Sequence, residues 1–227
     1  MKKNLAPSLL ALALTAGLLP VATHAQLIIS EVDPTGSSAS YGADWFELRN
    51  TGPSTVNLTG WKMDDNSASF GSAVALRGIT SIAPGQSVVF LEGNATGTTD
   101  ATLDASFISA WFGASVPLGF TIANYGGSSV GLSATSDAVN IYDSTGVLQA
   151  GVTFGAATTG VSFDNAAGLS GTISQVSAAG VNGAFLSFNG METGSPGDVA
   201  PVPEPATVVL GGLGLTALLG FRQRNRS

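Results

Sequence analysis

The sequence predicts an antiparallel β-sandwich held between two apolar targeting segments, and three observations lead there. Of 227 residues, 44% are hydrophobic, 10% are charged and 30 are glycine. That composition can bury a core and lacks the low hydrophobicity and high charge of a disordered chain. The middle of the chain is a succession of short apolar or alternating runs, each closed by turn residues, with hardly any helical period. Each end, by contrast, carries an apolar stretch with basic residues beside it.

The N-terminus has the three parts of a secretory signal. Lys2 and Lys3 form the basic region, and the run from Leu9 to Leu19 is the apolar one. Pro20 breaks it, and Thr23 and Ala25 are the small residues that a signal peptidase reads. The predicted cut falls between Ala25 and Gln26, making residues 1–25 a signal peptide. The alternative is an uncleaved anchor, for which the run is short and interrupted. Cleavage removes His24, the single histidine of a chain that has no cysteine. The mature chain then has no Ser-His-Asp or Cys-His catalytic set, no His-ligated metal site and no disulfide framework.

The body follows as a string of strands. Gln26–Val32 is a strand that ends at the turn cluster Asp33-Pro34-Thr35-Gly36. In Asp44–Arg49, alternation puts Trp45, Glu47 and Arg49 on one face and Phe46 and Leu48 on the other. Val56–Leu58 and Gly60–Met63 form a third strand region, closed by Asp64-Asp65-Asn66. Ile79–Ile82 leads through Ala83-Pro84-Gly85-Gln86 to a central strand at Ser87–Leu91. Asp104 is a candidate N-cap for a short helix over Ala105–Phe112, where Phe107, Ile108 and Trp111 have helical spacing. Further strands fit Ser129–Leu132, Ala138–Tyr142, Val147–Phe154, Gly160–Phe163 and Ala184–Phe188, with Asp143-Ser144-Thr145-Gly146 as a hairpin turn. The Gly/Ala/Ser/Thr-rich stretches 93–103 and 164–182 are expected to be mobile loops.

Charge narrows the partners. Residues 26–200 hold 14 acidic side chains and only Arg49, Lys62 and Arg77 as basic ones, a net charge of −11. A body so acidic stays soluble and has no basic patch for nucleic acid.

The C-terminus is a second address. Val202-Pro203-Glu204-Pro205 precedes an apolar segment, 206–221, and then Arg222, Arg224 and Arg226 close the chain. Sixteen helical residues reach roughly 24 Å, slightly short of a hydrocarbon core of about 30 Å. The arginines are expected on the cytoplasmic side, which places the body across the membrane. The prolines around Glu204 keep the box extended and outside any helix. This tripartite tail resembles the PEP-CTERM sorting signal. The resemblance implies processing by an exosortase-like enzyme and delivery to the surface or extracellular matrix of a Gram-negative bacterium, through an inner-membrane intermediate. An ordinary single-pass anchor is the alternative.

The order of motifs in the body also resembles a known family. The motifs are Leu27–Val32, Asp44–Gly52, Val56–Trp61, Ile82–Gln86, Asp137–Tyr142, Gly160–Phe163 and Glu192-Thr193-Gly194-Ser195-Pro196-Gly197. Together they resemble the lamin tail domain of secreted bacterial proteins, which implies an immunoglobulin-like sandwich over residues 26–198. Residues 199–205 would then be the linker carrying the sorting box, 206–221 the transmembrane helix and 222–227 the arginine cluster.

Several residues invite a chemical role. Trp45 and Trp61 suit a sugar platform, although tryptophans in strands more often belong to a core. Asp64-Asp65-Asn66 offers oxygen ligands for calcium, but the full calcium-loop pattern is absent and a solvated turn is favoured. Glu31, Asp44 and Glu47 lie on adjacent early strands, as paired carboxylates of a hydrolase would. Surface solubility, or an ion pair with Arg49 or Lys62, accounts for them more simply. Ser162 lacks both a Gly-x-Ser-x-Gly frame and a histidine base. The expectation is a non-enzymatic structural or adhesive matrix protein with no catalytic residue, no metal and no cofactor. Its partners would be signal peptidase, the processing enzyme and exopolysaccharide or matrix proteins. A calcium- or carbohydrate-binding module is the alternative, and a carboxylate-only hydrolase a more distant one.

Overall fold

The computed structural model describes residues 27–127 and 129–197. Ala25, Gln26, the Val202–Pro205 box, the 206–221 segment and Arg222, Arg224 and Arg226 lie outside the described residues. The strands are β1 (Leu27–Asp33), β2 (Trp45–Asn50), β3 (Val56–Asn57), β4 (Lys62–Asp64), β5 (Val74–Arg77), β6 (Ser81–Ile82) and β7 (Ser87–Gly93). Helix α1 (Asp100–Phe112) follows, then β8 (Ile122–Gly126), β9 (Asp137–Tyr142), β10 (Leu148–Phe154), β11 (Phe163–Asp164), β12 (Gly171–Ile173), β13 (Phe185–Leu186) and β14 (Thr193–Gly194).

Ten strands form one ladder in the order β11-β1-β2-β7-β8-β5-β4-β9-β10-β12, with the pairs β3–β6 and β13–β14 beside it. The ladder folds over on itself. Ile29, Phe46, Leu48, Val88 and Phe90 from the first half pack with Met63, Val139, Ile141, Val152 and Phe154 from the second, around one inner core. This is the sandwich that short alternating strands require.

The sandwich is mixed rather than antiparallel. β7 pairs parallel to β8, and β10 parallel to β12. A parallel neighbour needs a long crossover, and between β7 and β8 that crossover is α1. The helix begins at Asp100, not at Ala105, because Arg77 grips its first turn: Nε meets Asp100 Oδ2 at 2.5 Å and Nη2 donates to Oδ1 at 2.8 Å. Asp104 is therefore inside the helix and accepts from Asn124 Nδ2 at 2.9 Å instead of capping.

Other expectations shift for equally local reasons. Ser129–Leu132 forms no strand, although Val130 and Leu132 still fill the inner core. β5 and β8 were not visible as separate runs. Only Phe163 of the expected Gly160–Phe163 strand pairs in β11, and Ala184–Phe188 shortens to β13. The stretch 164–182 contains β12 and is tied by Asn165 Nδ2, which donates to the Ile29 carbonyl at 2.6 Å.

The strands β1, β2 and β7 are buried on both faces. Alternation sends Phe46, Leu48, Val88 and Phe90 inward and leaves Trp45, Val89 and Leu91 on the outer face. Helix α1 covers that outer face through Phe107, Ala110, Trp111 and Phe112, with Trp45 edge-on to both Phe107 and Trp111 at 5.8 Å.

Removing one of these aromatic contacts should undock the helix. Trp111→Ala is expected to cost about 3–5 kcal/mol in urea unfolding. Hydrogen exchange should accelerate in α1 before it does in β9 and β10.

Candidate functional site

The register of β1 on β2 sets two carboxylates directly opposite each other, Glu31 against Glu47. Strict alternation would send Glu31 the same way as Ile29, into the inner core. A β-bulge between Ile29 and Glu31 prevents this. Ile29 and Val32 both point inward, and the extra residue lets Ser30 and Glu31 meet the outer face. There Ser30 Oγ donates to Glu47 Oε1 at 2.7 Å.

Glu31 and Glu47 are both wholly buried, at 0% exposure. Adjacent buried carboxylates are costly unless donors surround them. The donors come from the far end of the domain. Ser162 Oγ donates to Glu31 Oε1 at 2.5 Å. Ser195 gives its backbone N–H to the same oxygen at 2.7 Å and its hydroxyl to Oε2 at 3.0 Å. The Gly197 N–H donates to Glu47 Oε2 at 2.5 Å. Pro196, between the two donors, has no N–H of its own to satisfy. Residues 192–197 thus form a strap that closes over the pair.

The strap has no room for side chains where it touches. A Cβ on Gly194 would lie 2.6 Å from Glu31 Oε1 and 3.0 Å from the Trp111 ring. Gly197 has φ +77° and sits against Phe120. At the strap's start, Tyr41 Oη donates to Glu192 Oε1 at 2.5 Å and accepts from Trp45 Nε1 at 3.1 Å. Asp33 accepts from the Thr35 N–H and hydroxyl, both at 2.8 Å. The second carboxylate oxygens of Asp33 and Glu192 are buried without a hydrogen-bond partner.

Burial governs the protonation of this region. It pushes Glu31 up to about 8, with the Glu47 charge adding to the rise and the Ser162 and Ser195 donors opposing it. Glu47 rises to about 7 through burial, held back by Ser30, the Gly197 N–H and the Arg49 charge. Glu192 and Glu92 also rise to about 7, chiefly through burial, and Asp33 and Asp44 rise for the same reason. The surface reading of these carboxylates is thereby corrected: Glu31, Asp44 and Glu47 are interior groups.

Two neighbouring carboxylates suit glycoside hydrolysis only if a substrate reaches them. Here Gly194, Ser195 and Gly197 occupy the space above them. An open groove of about 710 Å³ along α1 is lined by uncharged residues such as Ser106, Ser109 and Phe188. A pocket of about 170 Å³ reaches Glu192, and one of about 200 Å³ reaches Asp164, but neither Glu31 nor Glu47 lines them. The arrangement acts as a clamp.

The remaining candidates take structural places. Trp45 is wholly buried under α1, while Trp61 packs against the inner core, so the two form no joint platform. Asp64 is saturated by Ser67 Oγ, the Ser69 N–H and Ser72 Oγ, at 2.6, 2.7 and 3.0 Å, and Asp65 accepts from the Ser67 N–H at 2.9 Å. Lys62 lies over the Phe70 ring at 4.6 Å. Among the described residues, no group of three or more His, Cys, Asp or Glu is placed to hold a metal ion. Sequence reasoning missed Tyr41, Glu192 and Ser195 as parts of one network. The only signal for them was an acidic residue heading the glycine- and proline-rich segment 192–197.

Two family models match the chain. A family model described as Lamin Tail Domain matches residues 20–156, more than half of the chain. One described as PEP-CTERM protein-sorting motif matches residues 201–225. No curated protein matches the chain. The sorting motif implies export and extracellular or surface sorting in bacteria, with processing by an exosortase-like enzyme.

The raised carboxylates make stability depend on pH with a definite sign. A folded-state value of 7 to 8 against about 4.5 unfolded means that the folded chain binds protons more tightly. The associated stability is full below about pH 4.5 and is lost as pH rises through 7 to 8. Each proton taken up on folding tilts stability by about 1.4 kcal/mol per pH unit. Thermal melts between pH 5 and 9 should show a midpoint that falls as pH rises, and Glu31→Gln should flatten that fall.

Proposed function

The chain belongs to the Lamin Tail Domain family, and from that premise we propose a non-enzymatic structural or adhesive protein of a bacterial extracellular matrix. The observation that carries this reading is the closed clamp: the paired carboxylates that could have performed chemistry are occupied by Ser195 and Gly197 of the same chain. What remains for function is the outer surface and the address at the C-terminus.

On this reading the chain enters the export pathway through residues 1–25, and signal peptidase cuts between Ala25 and Gln26. Residues 26–198 fold outside the cytoplasm of a Gram-negative cell. The 206–221 segment holds them at the inner membrane, with Arg222, Arg224 and Arg226 on the cytoplasmic side. An exosortase-like enzyme then acts near Val202-Pro203-Glu204-Pro205, and the domain joins exopolysaccharide or matrix proteins. The acidic body supports a place in a hydrated matrix and disfavours a nucleic-acid partner.

Fractionation of the producing cells tests this. The wild-type chain should reach the matrix fraction shortened by the mass of its tail. Pro203→Ala/Pro205→Ala should leave the unshortened chain in the membrane fraction. Recovery of both forms in the matrix at equal yield, or hydrolysis of a matrix polysaccharide by the purified protein, contradicts the proposal.

A further inference from the structure

Five exposed apolar residues of the domain lie near the point where the chain leaves it. Leu118 is wholly exposed and Val116 nearly half exposed, on the turn between α1 and Phe120. Leu186, Phe188 and Met191 are exposed on and beside β13. These two groups adjoin. The Phe188 ring lies over Gly113 at the end of α1, and its N–H donates to the Trp111 carbonyl at 3.0 Å. Phe112 touches Phe120 on one side and Phe185 on the other, at ring distances of 4.7 and 5.9 Å. Phe120 in turn packs on Gly197, the last described residue.

The stretches that carry these five residues are also uncharged. Residues 105–136 and 165–191 contain no Asp, Glu, Lys or Arg, in a body whose net charge is −11. Elsewhere that charge repels an anionic surface, whereas these stretches add no charge against contact with lipid.

The length of chain beyond Gly197 says what the patch faces. Eight residues, 198–205, separate it from the apolar segment 206–221. Fully extended they span less than about 30 Å, and three of the eight are proline, which stiffens the tether. A domain of this size has a radius of gyration of about 15 Å, so the tether is shorter than the domain is wide. While the apolar segment is in the bilayer, the end carrying Gly197 is confined to within about 30 Å of it, nearer than the opposite end of the domain.

We propose that Val116, Leu118, Leu186, Phe188 and Met191 form a membrane-docking face that seats the domain on the lipid surface before its tail is processed. The apolar tips enter the interface, and the acidic remainder is held away from it. This rests on the anchoring role of residues 206–221 proposed above. The docked pose fixes the height of the Val202–Pro205 box at the membrane surface, where a membrane-embedded processing enzyme works.

The absence of cysteine from the chain allows a direct test. Single variants Leu118→Cys, Phe188→Cys, Leu148→Cys and Leu213→Cys are made in the exported chain with its tail intact. Each carries a fluorescent label and is placed in phosphatidylcholine nanodiscs containing nitroxide lipid. Leu148 is an exposed leucine at the start of β10 and serves as the comparison. Labels at 118 and 188 should be quenched several-fold more than the label at 148, and the label at 213 should be quenched as well. Quenching at 213 with 118 and 188 no different from 148 overturns the docking face and leaves the anchor standing. No quenching at 213 overturns both. Shielding of 118 and 188 that follows protein density rather than lipid assigns the face to a second copy and also overturns the proposal.

Discussion

A pair of like-charged side chains with no access to water constrains everything around it. Glu31 and Glu47 face each other on two adjacent strands, β1 and β2, that are buried on both faces. In that setting an unpaired carboxylate is far more expensive than the gain from any single packing contact. The sheet can therefore exist in this form only if donors arrive to surround the pair and if protons are retained where donors do not suffice. The β-bulge, the glycine at 194, the proline at 196 and the serines at 162 and 195 all answer that requirement. Each would be unremarked in isolation.

Apart from Ser30, the donors described are not local, and they come from outside the segment that defines the family. The Lamin Tail Domain match ends at residue 156, two residues beyond β10, whereas Ser162, Ser195 and Gly197 lie after it. The matched part supplies the sandwich and the acidic pair. The remainder supplies the lid. β11 adds to the free edge of β1 and brings Ser162 into reach, and the β13–β14 hairpin carries the strap across the end of α1. In this chain the core fold and its closing segment behave as one unit, since neither satisfies its buried polar groups without the other.

Much of the sandwich was legible because period-2 alternation is written residue by residue. Trp45, Phe46, Glu47 and Leu48 fell on the faces that alternation assigns. The parallel pairs were not legible, because pairing direction depends on the path of the connection, and the start of α1 was set by an ion pair from Arg77, 23 residues away. Strands of two or three residues such as β11 and β12 owe their pairing to neighbours rather than to propensity. The clamp was half visible. The carboxylates could be picked out on adjacent strands, but their burial could not, because the cover lies more than 140 residues further along the sequence. A surface role was the natural inference for acidic residues near a strand end, and it failed because the bulge and the strap are tertiary facts.

The order in which the chain appears gives the clamp a temporal meaning. A chain made from its N-terminus presents Glu31 and Glu47 well before the donors at Ser195 and Gly197. Their donors are among the last residues of the domain to arrive, immediately ahead of the 201–225 sorting motif. Until the strap closes, the pair lacks the donors of Ser195 and Gly197. A chain that stops or misfolds before residue 195 leaves two carboxylates without cover and a sheet whose outer face is incomplete. The buried pair thus depends on hydrogen bonds that only a domain complete to Gly197 can make.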